Sequence, residues 1–219
     1  MPARFTVLLV DDHPLMREGL ASVIGTSGQL VVCGEAGTCS EARERVGALR
    51  PDLVVFDLML GGRDGTPLLA EILRIHPPAR ILVYSSHDEM IYARRALRSG
   101  AVGYLMKTSD RQAVLEALLQ IAAGGRVMSE AVQTSLVSEA LGRPHGADAM
   151  DSLSDQELQV FRHIGAGLGL GEIAVEMNLS VKTIGTYRER LKNKLGAQSA
   201  RELARKAGSL LEKERMAGS

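Results

Sequence analysis

Carboxylates follow two apolar segments near the start of the chain. Asp57 comes directly after residues 53–56, and Asp11 and Asp12 come directly after residues 7–10. A short apolar run bounded by turn residues is typical of a strand buried on both faces. Acids at the ends of buried strands are costly unless a cationic group joins them. The three aspartates therefore indicate a site at which a cation balances their charge.

Two further polar side chains end predicted strands. Ser85 follows residues 80–84, and Lys107 follows residues 102–106. The carboxyl ends of parallel strands meet at one edge of a sheet, so we expect both side chains near the aspartates. Three carboxylates suit Mg²⁺, which pairs with phosphate oxygens. A hydroxyl and an ammonium suit the remaining oxygens of a phosphoryl group.

These residues predict that Asp57 accepts a phosphoryl group, that Mg²⁺ bridges, and that Ser85 and Lys107 stabilise the product. Each residue alone has a simpler explanation. A strand-terminal aspartate is usually a cap or turn residue, a strand-end lysine is usually solvated, and Ser85 could be a helix N-cap. The prediction depends on all of them falling at one edge of the sheet.

Five apolar segments alternate with helical patterns over the first 124 residues. The predicted strands are residues 5–10, 30–33, 53–56, 80–84 and 102–106. This alternation is typical of an α/β fold with a doubly wound, five-stranded parallel sheet. In the sheet order 2-1-3-4-5, strands one and three are neighbours, and the crevice between their carboxyl ends receives the three aspartates.

The last third of the chain is predicted to be helical and carries an excess of positive charge. Residues 152–219 hold 11 lysines and arginines against 8 acids, while the whole chain is balanced at 26 and 26. Ser180 is predicted to cap a basic helix over residues 181–195, which a short helix and a turn precede. This pattern is typical of a helix-turn-helix recognition helix. The alternative is a solvated amphipathic helix whose basic residues suit the helix dipole.

A breaker-rich stretch at residues 142–146 separates the two patterns. We predict one domain over residues 1–124, a linker over residues 125–151 and a separate helical domain over residues 152–219. No apolar run approaches the roughly 20 residues needed to cross a membrane, and no signal peptide is recognisable. The sequence therefore predicts a cytoplasmic protein without a membrane partner.

Three short motifs and one serine carry a resemblance to a known family: Val10-Asp-Asp-His-Pro14, Phe56-Asp-Leu-Met-Leu60, Gly103-Tyr-Leu-Met-Lys107 and Ser85. Over residues 5–124 the chain resembles the receiver domain of two-component response regulators. The resemblance implies that Asp57 is the phosphoacceptor. It also implies a Mg²⁺ site formed by Asp12, Asp57 and the Met59 carbonyl, with Asp11 acting through water.

The same resemblance implies that Ser85 and Tyr104 form a switch pair. The hydroxyl would move toward the phosphoryl oxygens while the aromatic ring turns inward. Gly61 stands where many receiver domains have proline, which predicts a looser loop after Asp57. Serine replaces the commoner threonine at position 85, which is a mild change.

Four motifs in the last third resemble the LuxR/NarL-type DNA-binding domain over residues 152–208: Leu153-Ser-Asp-Gln-Glu157, Gly171-Glu-Ile-Ala174, Leu179-Ser-Val-Lys-Thr183 and Lys194-Leu-Gly196. The resemblance implies a four-helix domain that places residues 181–195 in the major groove and binds as a dimer. It implies phosphate contacts for Lys182, Thr183, Tyr187, Arg190 and Lys194. It implies base-edge positions at Gly185, Thr186 and Glu189.

Together the two resemblances imply a DNA-binding transcription regulator and not an enzyme. A partner sensor histidine kinase would phosphorylate Asp57 and switch the protein to a homodimer on inverted-repeat half-sites in a promoter. Two alternatives stay open. An aspartyl-phosphate phosphatase also uses a strand-end aspartate and Mg²⁺, although it typically has its nucleophile and acid two residues apart. A phosphorylation-independent transcription factor would carry an unused receiver domain.

Overall fold

Strands and helices alternate in the first part of the chain, and the described residues of the second part form only helices. A computed structural model describes residues 4–61, 63–87, 89–140 and 153–217. The chain divides into two units, Met1–Gly142 and Arg143–Ser219. The division into an α/β part and a helical part agrees with the sequence pattern.

The first unit contains a five-stranded parallel sheet. Its strands are β1 (Phe5–Val10), β2 (Leu30–Ala36), β3 (Leu53–Phe56), β6 (Arg80–Ser85) and β7 (Gly103–Met106). A small antiparallel hairpin pairs β4 (Met59–Leu60) with β5 (Arg63–Asp64). The sheet order is β2-β1-β3-β6-β7, which is 2-1-3-4-5 when the hairpin is left out. The predicted fold class is confirmed.

Helices cover both faces of this sheet, which is why β3 is apolar throughout and β1 is apolar over its buried residues 7–10. The helices are α1 (Pro14–Gly25), α2 (Cys39–Leu49), α3 (Thr66–Ile75), α4 (Glu89–Arg98) and α5 (Arg111–Ala122). All residues of β3 and residues 7–10 of β1 are buried. On one face, Leu20 and Ile24 of α1 and Leu118 of α5 pack against them. This core holds the strand ends that carry the polar residues.

The first part of the predicted linker packs on this unit instead of forming a free connection. The Val127 carbonyl accepts the Tyr104 N–H at 2.8 Å, and the Val127 N–H donates to the Val102 carbonyl at 3.2 Å. Helix α6 (Glu130–Ala140) follows, packs against α4 and buries Val132. Backbone groups on the edge strand β7 and one buried valine explain this docking. The periodicity of apolar residues in the sequence does not indicate it. Residues 141–151 of the predicted linker, and residue 152 of the predicted helical domain, lie outside the described residues.

The second unit consists of α7 (Asp155–Gly165), α8 (Leu170–Glu176), α9 (Val181–Lys194) and α10 (Ala200–Ala217) in its described part. Ser154 and Glu157 form a capping box at the start of α7. The larger buried side chains in the core of this unit include Leu158, Phe161, Ile173, Ile184, Leu191 and Leu203. No helix in the described part of the chain is long and apolar enough to cross a lipid bilayer.

Candidate functional site

The register of the sheet brings Asp11 and Asp57 to the same level at its carboxyl edge. Val10 of β1 pairs with Phe56 of β3, so the next residue of each strand leaves the sheet at one point. The Asp57 N–H donates to the Val10 carbonyl at 2.8 Å. Only 3% of Asp11 and 5% of Asp57 are exposed. The structure thus brings together carboxylates that the sequence predicts at this edge.

The Lys107 ammonium bridges these two carboxylates. Its Nζ lies 2.6 Å from Asp11 Oδ2 and 2.7 Å from Asp57 Oδ2. The Lys107 N–H donates to the Ser85 carbonyl at 2.8 Å, which fixes the point where this side chain leaves β7. The sequence predicts Lys107 as a partner of phosphoryl oxygens. The structure adds a second role, the pairing of two buried carboxylates.

Burial and charge shift the pKa values of this group. Burial raises the pKa of Asp57, and although the contact with Lys107 opposes the rise, the net pKa stays above that of an ordinary aspartate. Burial lowers the pKa of Lys107, but Asp11 and Asp57 outweigh it and the net pKa is raised. A protonated ammonium therefore lies beside a carboxylate that is more basic than usual.

Four neighbouring side chains form a candidate metal centre. One potential ligand atom from each of Asp11, Asp12, His13 and Asp57 lies within 4.8 Å of the others. Asp12 Oδ1 is buried and accepts no hydrogen bond from the residues that the structure describes, although His13 Nδ1 is an ion-pair contact at 2.9 Å. A buried carboxylate oxygen that forms no hydrogen bond with the described residues, among further carboxylates, suits a hard cation such as Mg²⁺. The residues present therefore fit the predicted cofactor.

Two residues of this centre differ from the ligand set that the sequence predicts: His13, which was not predicted, and Met59, whose backbone N–H contacts Asp57. Sequence reasoning misses His13, whose Nδ1 also lies 3.1 Å from Asp11 Oδ1. Its position directly after the two acids is the signal that could have found it. Met59 donates its N–H to Asp57 Oδ1 at 3.3 Å. The metal-ligand role of its carbonyl stays a prediction.

Ser85 and Tyr104 are joined through the backbone of His87. Ser85 is fully buried, and its Oγ accepts the His87 N–H at 3.3 Å. Tyr104 is 1% exposed, and its hydroxyl donates to the His87 carbonyl at 2.7 Å. The loop after β6 therefore contacts both members of the predicted switch pair.

The predicted recognition helix is α9 of the second unit. Ser180 Oγ accepts the Thr183 N–H at 3.0 Å, which is the N-cap contact that the sequence predicts. Ile184 is buried, while Lys182 and Arg190 are exposed. An apolar face thus fixes the helix, and two cations face solvent where a nucleic-acid backbone could contact them.

Several predicted DNA-contacting side chains already have partners within the second unit. The contacts are those of Thr183 with Ser180 Oγ, Thr186 with the Lys182 carbonyl, Tyr187 with Gln156, Glu189 with Lys192 and Lys194 with Glu157. The Tyr187 hydroxyl donates to Gln156 Oε1 and so joins α9 to α7. The roles of these residues toward DNA stay predictions.

Glu157 joins the start of α7 to the end of α9. It is 3% exposed, and its Oε2 accepts the Ser154 N–H at 2.7 Å and a Lys194 Nζ proton at 2.6 Å. Burial raises the pKa of Glu157, but the contacts with Lys194 and Ser154 outweigh it, and the net pKa is lowered. The Lys194–Glu157 ion pair therefore links α9 to α7, and the role of Lys194 toward DNA stays a prediction.

The Gly185→Ala variant should stabilise the second unit. Gly185 lies inside α9, and a Cβ added there would meet no heavy atom of the described residues within 4 Å. Alanine is favoured over glycine in a helix by about 1 kcal/mol. We expect the free energy of unfolding in urea to rise by about that amount.

The Gly165→Ala variant is the matched control for this prediction. A Cβ at Gly165 would lie 2.8 Å from the backbone carbon of Ala207, so this variant should lose stability. A Gly185→Ala variant that is no more stable than the wild type would contradict the open geometry around α9.

Two family models match the chain. The model described as "Response regulator receiver domain" matches residues 7–119. The model described as "Bacterial regulatory proteins, luxR family" matches residues 151–207. The two matches fall on the unit with the acidic site and on the unit with the basic helix.

Similar proteins extend over nearly the whole chain. It is 34% identical over 195 residues to a protein named probable transcriptional regulatory protein NarL from Mycobacterium tuberculosis (strain CDC 1551 / Oshkosh), covering 89% of each chain. It is 33% identical over 198 residues to the DNA-binding transcriptional activator DevR/DosR from Mycobacterium tuberculosis (strain ATCC 25618 / H37Rv), covering 90% of this chain and 91% of the relative.

The chain is also similar to a solved structure. A LuxR-family two-component response regulator from Aurantimonas sp. SI85-9A1 shares 34% identity with a TM-score of 0.58. The match covers 64% of this chain and 99% of that one.

Proposed function

This chain belongs to the LuxR family of response regulators, and we propose that a partner histidine kinase controls it by phosphorylating Asp57. As a member it is a DNA-binding transcriptional regulator of the NarL type. The proposal concerns the switch: Asp57 is the acceptor, and its phosphorylation changes assembly and promoter binding.

The contact between Asp57 and Lys107 inside the acidic cluster carries this proposal. In the proposed transfer an Asp57 oxygen attacks phosphorus, the P–N bond to the phosphohistidine of the kinase breaks, and a P–O bond to Asp57 forms. Lys107 Nζ, 2.7 Å from Asp57 Oδ2, is within reach of the charge that the phosphoryl oxygens bring. The residues that would hold Mg²⁺ are Asp11, Asp12, Asp57 and the Met59 carbonyl. Bound Mg²⁺ would neutralise charge on the phosphoryl oxygens.

The proposed readout of the phosphorylated state begins at Ser85. Its hydroxyl would turn to a phosphoryl oxygen and give up the contact with the His87 N–H, now 3.3 Å. Because the His87 carbonyl accepts from Tyr104 at 2.7 Å, a shift of this loop would change how Tyr104 is held. The two states would then differ at the β6–β7 edge of the receiver domain.

We infer that the phosphorylated protein binds promoter DNA as a homodimer. Two copies present two α9 helices, which matches inverted-repeat half-sites. Lys182 and Arg190 are exposed on α9 and would contact phosphates. Once one half-site is bound, the second helix acts at a high effective concentration, so dimerisation raises affinity without new contacts.

DNA affinity with and without acetyl phosphate and Mg²⁺ tests this function. Genomic fragments captured by the phosphorylated protein supply the DNA, and we expect phosphorylation to tighten binding by at least roughly tenfold. Unchanged affinity would favour the phosphorylation-independent transcription factor. Repeated turnover of small phosphoesters would favour the phosphatase.

The Lys182→Ala variant should weaken binding to all DNA sequences alike. Lys182 is exposed on the first turn of α9, and one lost phosphate contact reduces the slope of log affinity against log salt by about 1. Titration of random-sequence duplex DNA at several salt concentrations measures this slope.

The Lys194→Ala variant is the contrasting control. Because Lys194 pairs with buried Glu157, it should also lower the stability of the second unit, whereas Lys182→Ala should leave stability unchanged. A loss confined to one base position in the Lys182→Ala variant would contradict its role at a phosphate.

A further inference from the structure

The backbone N–H of Gly61 donates to Asp12 Oδ2 at 2.9 Å. Gly61 follows β4 directly, ahead of its hairpin partner β5, in which Asp64 pairs with Met59 and Arg63 with Leu60. Gly61 has a φ of 59°, a left-handed backbone conformation that glycine adopts without steric cost.

Because of this contact, the two carboxylate oxygens of Asp12 have different surroundings. Oδ2 has a main-chain donor. Oδ1 is buried and forms no hydrogen bond with the described residues, although His13 Nδ1 is an ion-pair contact at 2.9 Å, and it belongs to the carboxylate that lies in the candidate metal centre. A carboxylate held at one oxygen has fewer orientations available to the other. The loop after β4 therefore fixes the direction in which Asp12 presents its remaining oxygen.

We propose that Gly61 is a positioning residue for the metal centre, acting through its backbone N–H on the Asp12 carboxylate. The proposal rests on the proposed function, because it concerns the Mg²⁺ site of the receiver domain. Groups that orient metal ligands typically change metal affinity by 10-fold to 100-fold when they are removed. The residue at position 61 thus tunes the Mg²⁺ concentration at which the site fills.

Only some side chains can serve at this position. Proline has no N–H and a φ fixed near −65°, so it cannot form this contact. Asparagine keeps the N–H and tolerates positive φ better than other L-residues. A Cβ at position 61 meets no heavy atom of the described residues within 4 Å, so asparagine has room. Gly61→Pro removes both the glycine and the N–H, whereas Gly61→Asn removes the glycine but keeps the N–H. Comparison of the two variants therefore isolates the effect of the hydrogen bond.

Calorimetric titration of Mg²⁺ into the full chain tests the proposal. We expect Gly61→Pro to raise the dissociation constant by about tenfold or more, and Gly61→Asn to stay within about threefold of the wild type. Gly28→Pro is the matched control, since Gly28 has a φ of 62° and equally open space. Gly28 precedes β2 at the amino end of the sheet, whereas the candidate metal centre lies at the carboxyl end. This control variant should leave Mg²⁺ affinity unchanged. Thermal unfolding without Mg²⁺ reports any general loss of stability.

The amide resonance of Gly61 gives a test that does not need the proline variant. In ¹⁵N–¹H spectra we expect the Gly61 amide proton to move upfield in Asp12→Asn, because a neutral amide is a weaker acceptor than a carboxylate. An unmoved resonance, equal Mg²⁺ affinities for Gly61→Pro and wild type, or equal losses in Gly61→Pro and Gly61→Asn would each overturn the proposal. A wild-type chain that binds no Mg²⁺ would overturn the metal site of the proposed function itself.

Discussion

No phosphoryl label is expected on the Asp57→Ala variant after incubation with acetyl phosphate and Mg²⁺, whereas the wild type should be labelled. Asp57 follows β3 and contacts Lys107 at 2.7 Å. Alanine offers no oxygen to form the new P–O bond, so the loss should be complete. Gels that retard phosphoproteins, run at neutral pH, separate the two forms directly.

The variant should still fold. Lys107 keeps its contact with Asp11 at 2.6 Å, and the raised pKa of Asp57 indicates that its charge is unfavourable where it lies. Glu71→Ala is the control, because Glu71 is a partly exposed acid paired with Arg43, remote in sequence from the acidic strand ends. It should be labelled like the wild type. Normal labelling of Asp57→Ala would refute the acceptor assignment.

The Lys107→Met variant should lose about 3 kcal/mol of receiver-domain stability at pH 7, since it leaves two buried carboxylates without their cation. Asp11 and Asp57 both lie within hydrogen-bond distance of Lys107 Nζ. Urea unfolding followed by tyrosine fluorescence measures the loss. Three of the four tyrosines, at positions 84, 92 and 104, belong to this domain.

The deficit of Lys107→Met should shrink as the pH falls. A carboxyl with a raised pKa binds more protons in the folded than in the unfolded chain, so acidification favours the folded state. The pKa of Asp57 is already raised by burial, and loss of Lys107 removes a contact that lowers it. The deficit should therefore be largest above the folded-state pKa and decline toward the ordinary aspartate value of 3.8.

A surface ion pair provides the contrast for this experiment. Arg43 contacts Glu71 with both side chains partly exposed, and exposed pairs contribute roughly 0 to 1 kcal/mol. Arg43→Met should therefore change stability little at any pH. A Lys107→Met variant as stable as Arg43→Met at pH 7 would contradict the buried bridge.

Addition of Mg²⁺ should recover part of the stability that Lys107→Met loses, because a bound cation again balances the carboxylates. The same addition should do less in Asp12→Asn, which lacks one of the proposed ligands. Equal responses of both variants would argue against Asp12 as a ligand.

The strands that end in acids could be predicted because burial on both faces restricts the residue types within the strand itself. A strand covered on both faces is apolar where it is buried, so residues 7–10 of β1 and all of β3 stand out, and so do the acids that follow them. Parallel pairing then leaves few sheet orders, and the short α/β connections favour the one that forms. The helix N-caps Ser154 and Ser180 could be predicted for a similar reason, because a capping residue directly precedes the helix that it caps.

The docking of residues 127–140 could not be predicted in the same way. Val127 bonds to the edge strand β7, and α6 buries Val132. Neither contact requires a periodic pattern, because a strand edge offers backbone groups to any nearby segment. Composition at residues 125–151 therefore predicts a linker, although part of it packs on the receiver domain.

The individual hydrogen bonds in the two sites were beyond prediction, although the sequence predicts Lys107 near the aspartates. Lys107 and Asp11 are 96 positions apart, Gly61 and Asp12 are 49 apart, and Lys194 and Glu157 are 37 apart. Residue type at position 61 predicts a looser loop, whereas the folded chain uses its N–H as a donor.

Linear pattern alone was enough for the fold class, the acidic edge and the basic helix, because each depends on periodic burial and on residues adjacent to it. Folding alone determined that Lys107 bridges two carboxylates, that Gly61 holds Asp12, and that Lys194 pairs with Glu157. A hydrogen bond requires atoms within about 3 Å at a suitable angle. Distances of that order between remote residues are set by the packing of whole elements.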